Sequence, residues 1–263
     1  RQLTICTTHQ LLRFYHAFDN LVVDEVDAFP YAMNPRLLFA TEQAVKPNGG
    51  ILFMTATPGK DLLTKIKKGT LKVSYLPLRY HGHLLPEIKV RLETTWRQQL
   101  SRQRLPASLL KAMSTRSKQG KRFLLFVPHV ADLSPVGRAI DRQIKAANYA
   151  LVHAADPERL EKVQGMRDKK YQFLVTTTIM ERGVTFPGID VLVLGADDPV
   201  FSTSALVQIA GRAGRSPQKP DGFVGFWCGA EDARVRNGIS QIRELNRRGR
   251  RLQKVVTESG WQP

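Results

Sequence analysis

The sequence predicts an α/β protein of two domains built on mainly parallel sheets, the first domain N-terminally incomplete. Three observations carry that expectation. Short, wholly apolar runs recur along the chain, the pattern of strands buried on both faces of a parallel sheet. Stretches long enough for helices separate them, the alternation of doubly wound α/β layers. Several runs end at once in polar residues, and the ends of parallel strands are where open α/β sheets bind ligands.

In chain order the apolar runs are Leu21–Val23, Ile51–Met54, Phe123–Val127, Tyr149–Val152, Phe173–Val175, Val191–Leu194 and Gly222–Trp227. Helices are expected over Arg36–Val45, Ala107–Lys118, Pro135–Ala147, Glu158–Asp168 and Ser204–Ala213, the last preceded by Ser202-Thr203-Ser204 as candidate N-caps. Leu71–Tyr80 and Ile88–Glu93 look extended, interrupted by His81-Gly82-His83 and Pro86. The connection between domains is placed around residues 90–106, giving domains 1–95 and 96–263. Arg234–Lys254 is strongly Arg-rich.

A chain of 263 residues, 42% of them hydrophobic, can bury substantial cores. Its 40 Lys and Arg against 23 Asp and Glu leave a formal charge of +17, which favours polyanionic partners. Nucleic acid is the first candidate; an anionic membrane surface and a merely basic protein are the alternatives. Cys6 and Cys228 are the only cysteines, so neither a disulfide framework nor a four-thiolate zinc site can be assembled, and a reducing, cytoplasmic setting is expected. No run approaches the roughly 20 apolar residues of a transmembrane helix. The opening Arg1-Gln2-Leu3 reads as the start of a piece cut from something longer.

Leu21-Val22-Val23-Asp24-Glu25-Val26-Asp27 is an apolar strand ending in acids. Asp24 would hold Mg²⁺, and Glu25 would orient or deprotonate the water attacking the γ-phosphate of ATP. Alone, the segment fits a solvated acidic turn equally well. Some thirty residues on, Phe53-Met54-Thr55-Ala56-Thr57-Pro58 ends a second strand in hydroxyls, and Thr55 and Thr57 could hydrogen-bond the acids and couple to the phosphate. Gln208-Ile209-Ala210-Gly211-Arg212-Ala213-Gly214-Arg215 carries two arginines three apart, neighbours on one helical face, whose planar, permanently charged forks suit phosphate oxygens.

In this order the motifs resemble those of superfamily 2 nucleic-acid motors. Together with Thr7-Thr8-His9-Gln10-Leu11-Leu12-Arg13-Phe14 and Thr176-Thr177-Thr178-Ile179-Met180-Glu181-Arg182-Gly183-Val184-Thr185-Phe186-Pro187, they are closest to the competence protein ComFA family over nearly the whole chain. The resemblance implies two RecA-like domains and an ATP- and Mg²⁺-dependent translocase that pulls single-stranded DNA into the cytoplasm during natural transformation, beside competence uptake proteins at the inner face of the membrane. It implies catalytic roles for Asp24, Glu25, Arg212 and Arg215, with Arg215 the arginine finger, and nucleotide contacts from Gln208 and Gly183. DNA-backbone contacts are implied for Thr8, Arg13 and Thr177, although Thr8–Arg13 suits an ordinary helix start and Leu124–His129, in the place of motif IV, suits a core strand. Thr178 and Thr185 stand where the DEAD-box form has Asp, which places ribose contacts there in doubt and weighs against an RNA helicase.

The family's Gly-Lys-Thr/Ser phosphate loop and four-cysteine zinc module are absent from the sequence, so zinc is expected only in a missing N-terminal module and the chain alone is expected to be inactive. Lys65, Lys67, Lys68, Lys72, Arg243, Arg247, Arg248, Arg250 and Arg251 are candidate backbone contacts, the last five suiting a solvated basic face equally well. A replication-restart helicase, and a nucleic-acid-binding module without catalysis, are the alternative functions.

Overall fold

The computed structural model describes residues 3–28, 30–79, 82–177, 186–216 and 221–259, with side chains to residue 255. The chain divides into two compact units, residues 1–75 and 76–263.

In the first unit, strands β1 (Phe18–Val23) and β2 (Val45–Phe53) pair in parallel with Leu21 opposite Ile51 and Val23 opposite Phe53. Parallel pairing needs a crossover, and helix α1 (Pro35–Ala44) supplies it. Pro35 sits in its first turn, where a missing N–H costs nothing, and the Asn34 side chain accepts the Arg36 N–H at 3.1 Å. Leu37 of this helix packs with Val23, Val26 and Tyr31. Helix α2 (Lys60–Lys67) follows β2.

The second unit is a six-stranded, all-parallel sheet of β3 (Ile88–Leu92), β4 (Phe123–Phe126), β5 (Tyr149–Val152), β6 (Phe173–Thr176), β7 (Asp190–Leu194) and β8 (Val224–Cys228), in the order β3-β8-β7-β4-β6-β5. Around it lie α3 (Trp96–Ser101), α4 (Ala107–Lys118), α5 (Val130–Gln143), α6 (Arg159–Arg167), α7 (Thr203–Ala210) and α8 (Ala233–Ser259). Successive side chains of a strand point to opposite faces. Accordingly Leu124 and Phe126 of central β4 enter one core with Val191, Val193 and Phe226, while Phe123 and Leu125 enter the other with Leu109, Val136 and Leu192. All four β4 residues are buried, as the unbroken apolar run anticipated.

Three expectations need correction. The division between units falls at 75/76 rather than 95/96, and residues 90–106 are not a connection, because Ile88–Leu92 pairs with Val224–Cys228 as the edge strand of the second sheet. Leu71–Arg79 contains no strand; the segment after it is held to α8 instead, Asn246 donating to Leu85 O and accepting its N–H, both at 2.9 Å. Helix α5 begins at Val130, five residues before the expected Pro135, with Asp132 accepting the His129 N–H at 3.1 Å across its first turn.

Candidate functional site

In the first unit, β1 delivers its acids at its end, although it is not buried on both faces as expected: of its six residues only Val23 is buried, and Val22, like Leu52 of β2, is exposed. Val23 is buried; Asp24 and Glu25 are exposed, the Asp24 carboxylate accepting the Glu25 N–H at 2.8 Å. Glu25 has φ 51°, a left-handed conformation that costs a non-glycine residue about 1–2 kcal/mol. The ladder runs past both strands, Met54 N–H to Val23 O at 2.9 Å and Val26 N–H to Met54 O at 3.2 Å, which sets the two following loops side by side. Thr55 and Thr57 then both donate their hydroxyls to Asp27, one to each carboxylate oxygen at 2.6 Å, while Thr55 Oγ1 accepts the Thr57 N–H at 3.0 Å. The expected bonding of Thr55 and Thr57 to the acidic motif is present, and Asp27 is its acceptor. The sequence motif gives Asp27 no role of its own; its signal is a third acid two residues past Glu25, within reach of the second strand's loop.

Thr8 and Arg13 bound a 3₁₀ turn, Thr8–Arg13, anchored by buried Leu11 against Ala40 and Ala44, with Arg13 exposed. Among the described residues no group of three or more His, Cys, Asp or Glu side chains could cage a metal. The exposed carboxylates of Asp24 and Glu25 suit Mg²⁺ all the same, since that ion takes one or two carboxylates and leaves its remaining positions to water and phosphate.

In the second unit, α7 is capped by Ser202, whose hydroxyl accepts the Ala205 N–H at 3.1 Å, but it ends at Ala210 rather than Ala213. Gly214 at φ 79° and Arg215 at φ 52° turn the chain, and Gly214 bridges Ile189, its N–H reaching Ile189 O at 2.9 Å. Arg212 and Arg215 therefore do not share a helical face. Arg212 is buried, whereas Arg215 is exposed and donates from Nε to Gly211 O at 2.9 Å. Arg79 lies near Arg215: burial and then the Arg215 charge, opposed by Asp221, pull its pKa down to about 10. Like charges so gathered form a region suited to a phosphate. The Gln208 Oε1 is buried without a hydrogen-bond partner among the described residues. Thr177 follows β6 and is buried; Thr178–Thr185, Gly183 included, lie outside the described residues.

A third group, unforeseen apart from the polar end at His129, occupies the C-terminal edge of the second sheet. Gly195, at φ 67°, follows β7, and a Cβ there would come within 2.7 Å of the Trp96 ring. The turn presents Asp197 to the Gly229 and Ala230 N–H groups at 2.8 and 3.0 Å, and Asp198 to Arg97 Nη2 at 2.8 Å and His129 Nε2 at 3.2 Å. Arg97 also stacks on Trp96, 4.3 Å from the ring centroid.

Residues 104–217 match the helicase conserved C-terminal domain. Over 245 residues the chain is 38% identical to competence protein ComFA of Streptococcus pneumoniae, covering 93% of this chain and 57% of that protein. Over 244 residues it is 39% identical to competence protein ComFA of Bacillus subtilis, covering 93% and 52%. The chain is ComFA-like in sequence over nearly its whole length. It spans just over half the length of these two curated relatives. The ComFA-like sequence is also 27% identical to the ATP-dependent DNA helicase RecG of Staphylococcus aureus over 81% of its length and 31% of that protein. Its fold is RecA-like: Saccharomyces cerevisiae Dbp5, solved bound to RNA and ADP BeF3, superposes with a TM-score of 0.57 at 14% identity, covering 91% of this chain and 61% of that one.

Proposed function

We propose that the chain is part of an ATP-driven motor that translocates along single-stranded DNA, serving DNA uptake in natural transformation at the cytoplasmic face of the membrane. The observation that carries the reading is the joining of the acidic end of β1 to the hydroxyl end of β2 through Asp27, within a chain similar to ComFA over 93% of its length. Glu25 would hold and polarise the attacking water, and Asp24 would hold Mg²⁺ through oxygen. Thr55 and Thr57 would transmit the state of the acids to β2. Arg215 and Arg212, with Gln208, would serve the phosphates of the same turnover as permanent cations. Bound Mg-ATP would supply the phosphoanhydride whose hydrolysis drives movement. Thr8, Arg13 and Thr177 would touch DNA phosphates, contacts that set position without reading sequence.

The test is ATP hydrolysis by the full-length protein that contains this chain, with single-stranded DNA and with RNA as stimulants. Stimulation by DNA that Glu25→Gln abolishes supports the reading. Turnover that is stimulated only by RNA, or salt-sensitive DNA binding with turnover indifferent to Glu25→Gln, rejects it.

A further inference from the structure

Helix α8 carries charge in a pattern that the catalytic motifs do not use. At about 100° per residue, Arg236, Arg243, Arg247, Arg250 and Lys254 fall within about 60° of one another around the helix. At 1.5 Å per residue the stripe is about 27 Å long. All five side chains are exposed. The helix is held by another face: Val235 and Ile242 enter the core, Asn246 clamps Leu85, and Gly249 lies so close to Leu78 and Leu84 that a Cβ would come within 2.7–2.8 Å of them. The cations therefore project from a fixed rod rather than a loose tail.

Acidic neighbours neutralise little of the stripe. Arg236 pairs with exposed Glu231 at 3.3 Å and Arg247 with Glu244 at 2.6 Å, while Glu244 also takes Arg248 at 2.9 Å. Arg243, Arg250 and Lys254 take no ion pair among the described residues. Arg243 with Arg247, Arg247 with Arg250, and Arg250 with Lys254 stand at the i,i+3 or i,i+4 spacings where like charges repel. A linear anion laid along the stripe relieves that repulsion at every step. A membrane surface would also want apolar side chains among the cations, and the exposed Leu252 lies on the far side of the helix from them.

We infer that the outward face of α8 is a nucleic-acid rail, binding several consecutive phosphates of a single strand without reading sequence, in addition to the backbone contacts proposed above. The inference rests on the nucleic-acid reading of the chain and adds to it a surface that resists release mainly through counterion displacement. For a single strand, each neutralised phosphate contributes about −0.7 to the slope of log affinity against log salt.

The experiment measures fluorescence anisotropy of a labelled oligo-dT strand with the full-length protein that contains this chain across a salt series. Removing three rail cations (Arg243→Gln, Arg250→Gln, Lys254→Gln) is compared with removing three exposed cations elsewhere (Lys111→Gln, Lys118→Gln, Lys145→Gln), which changes net charge equally. The rail predicts that the first triple flattens the slope by about 2 and weakens binding at least tenfold at low salt, while the second changes neither. Arg243→Lys with Arg250→Lys should keep the slope, and circular dichroism melts establish that α8 remains folded. Equal effects of the two triples, or no effect of either on a chain that binds DNA, overturn the rail and leave the motor reading standing. No DNA binding by the unsubstituted full-length protein overturns both. A rail triple that spares DNA binding but abolishes retention on phosphatidylserine vesicles reassigns the face to a membrane.

Discussion

At the scale of single residues, the decisive feature of the first unit is one carboxylate receiving two hydroxyls. Hydrogen bonds to a charged acceptor are stronger than neutral ones, and Thr57 is buried, so its hydroxyl has no water to turn to. Asp27→Ala should therefore cost about 2 kcal/mol, seen as a lower urea midpoint at unchanged slope; an unchanged midpoint would mean the bonds contribute nothing. Sequence alone placed Asp24 and Glu25 at the end of a strand, because an apolar run delivers the polar residues that follow it to its end. It could not choose among three acids in four residues for the partner of Thr55 and Thr57. That choice depends on how far the β1–β2 ladder runs beyond the strands. Nor could it find Arg79, whose proximity to Arg215 arises from a loop tied to α8.

At the scale of elements, the central strands of the second sheet were legible because burial on both faces leaves little room for polar residues, whereas the apolar runs of β1 and β2 leave Val22 and Leu52 exposed. The edge strand β3 was harder: Ile88-Lys89-Val90-Arg91-Leu92 alternates, and alternation does not say which sheet it joins. Helix α7 ends three residues before the expected Ala213, because the glycines that break it also belong to a motif resembling a helical one. Buried Arg116 ties α4 to the sheet: it meets Asp190 at 2.8 Å, lies 3.9 Å from the Phe223 ring centroid and donates to Ala112 O at 2.7 Å. Arg116→Met would strand the Asp190 charge in the interior and should cost about 3–5 kcal/mol, measured by chemical denaturation; a cost below about 1 kcal/mol would show that the pair is dispensable.

The start of α8 is set by Asp232, which accepts the Arg234 and Val235 N–H groups at 2.7 and 3.3 Å and two Arg234 side-chain bonds at 2.8 and 3.0 Å. Hydrogen bonding from Arg234 holds the Asp232 pKa below its ordinary value. Its contribution is accordingly full above the unfolded value of about 3.9 and is lost as pH falls through the lower folded one. Asp232→Ala should cost about 1 kcal/mol at neutral pH, and its melting curve should converge on that of the unsubstituted chain in acid. A gap that persists at the lowest pH would assign the loss to packing instead.

For the whole molecule, a formal charge of +17 favours polyanionic partners, and the comparisons show a chain similar to ComFA over 93% of its length. The order of the motifs was legible because each sits at the end of an element that physical patterning reveals. The division between the units was not, because it depends on the sheet to which one short strand is bonded. Arginines of the second unit are proposed to act in the same turnover as the acids of the first. The direct measurement is the steady-state rate of ATP hydrolysis by the full-length protein with saturating single-stranded DNA, comparing the native protein with a normally folded Arg215→Ala variant. A fall of about 10³-fold or more is predicted. Hydrolysis at the native rate, or a native protein whose rate DNA leaves unchanged, would contradict it.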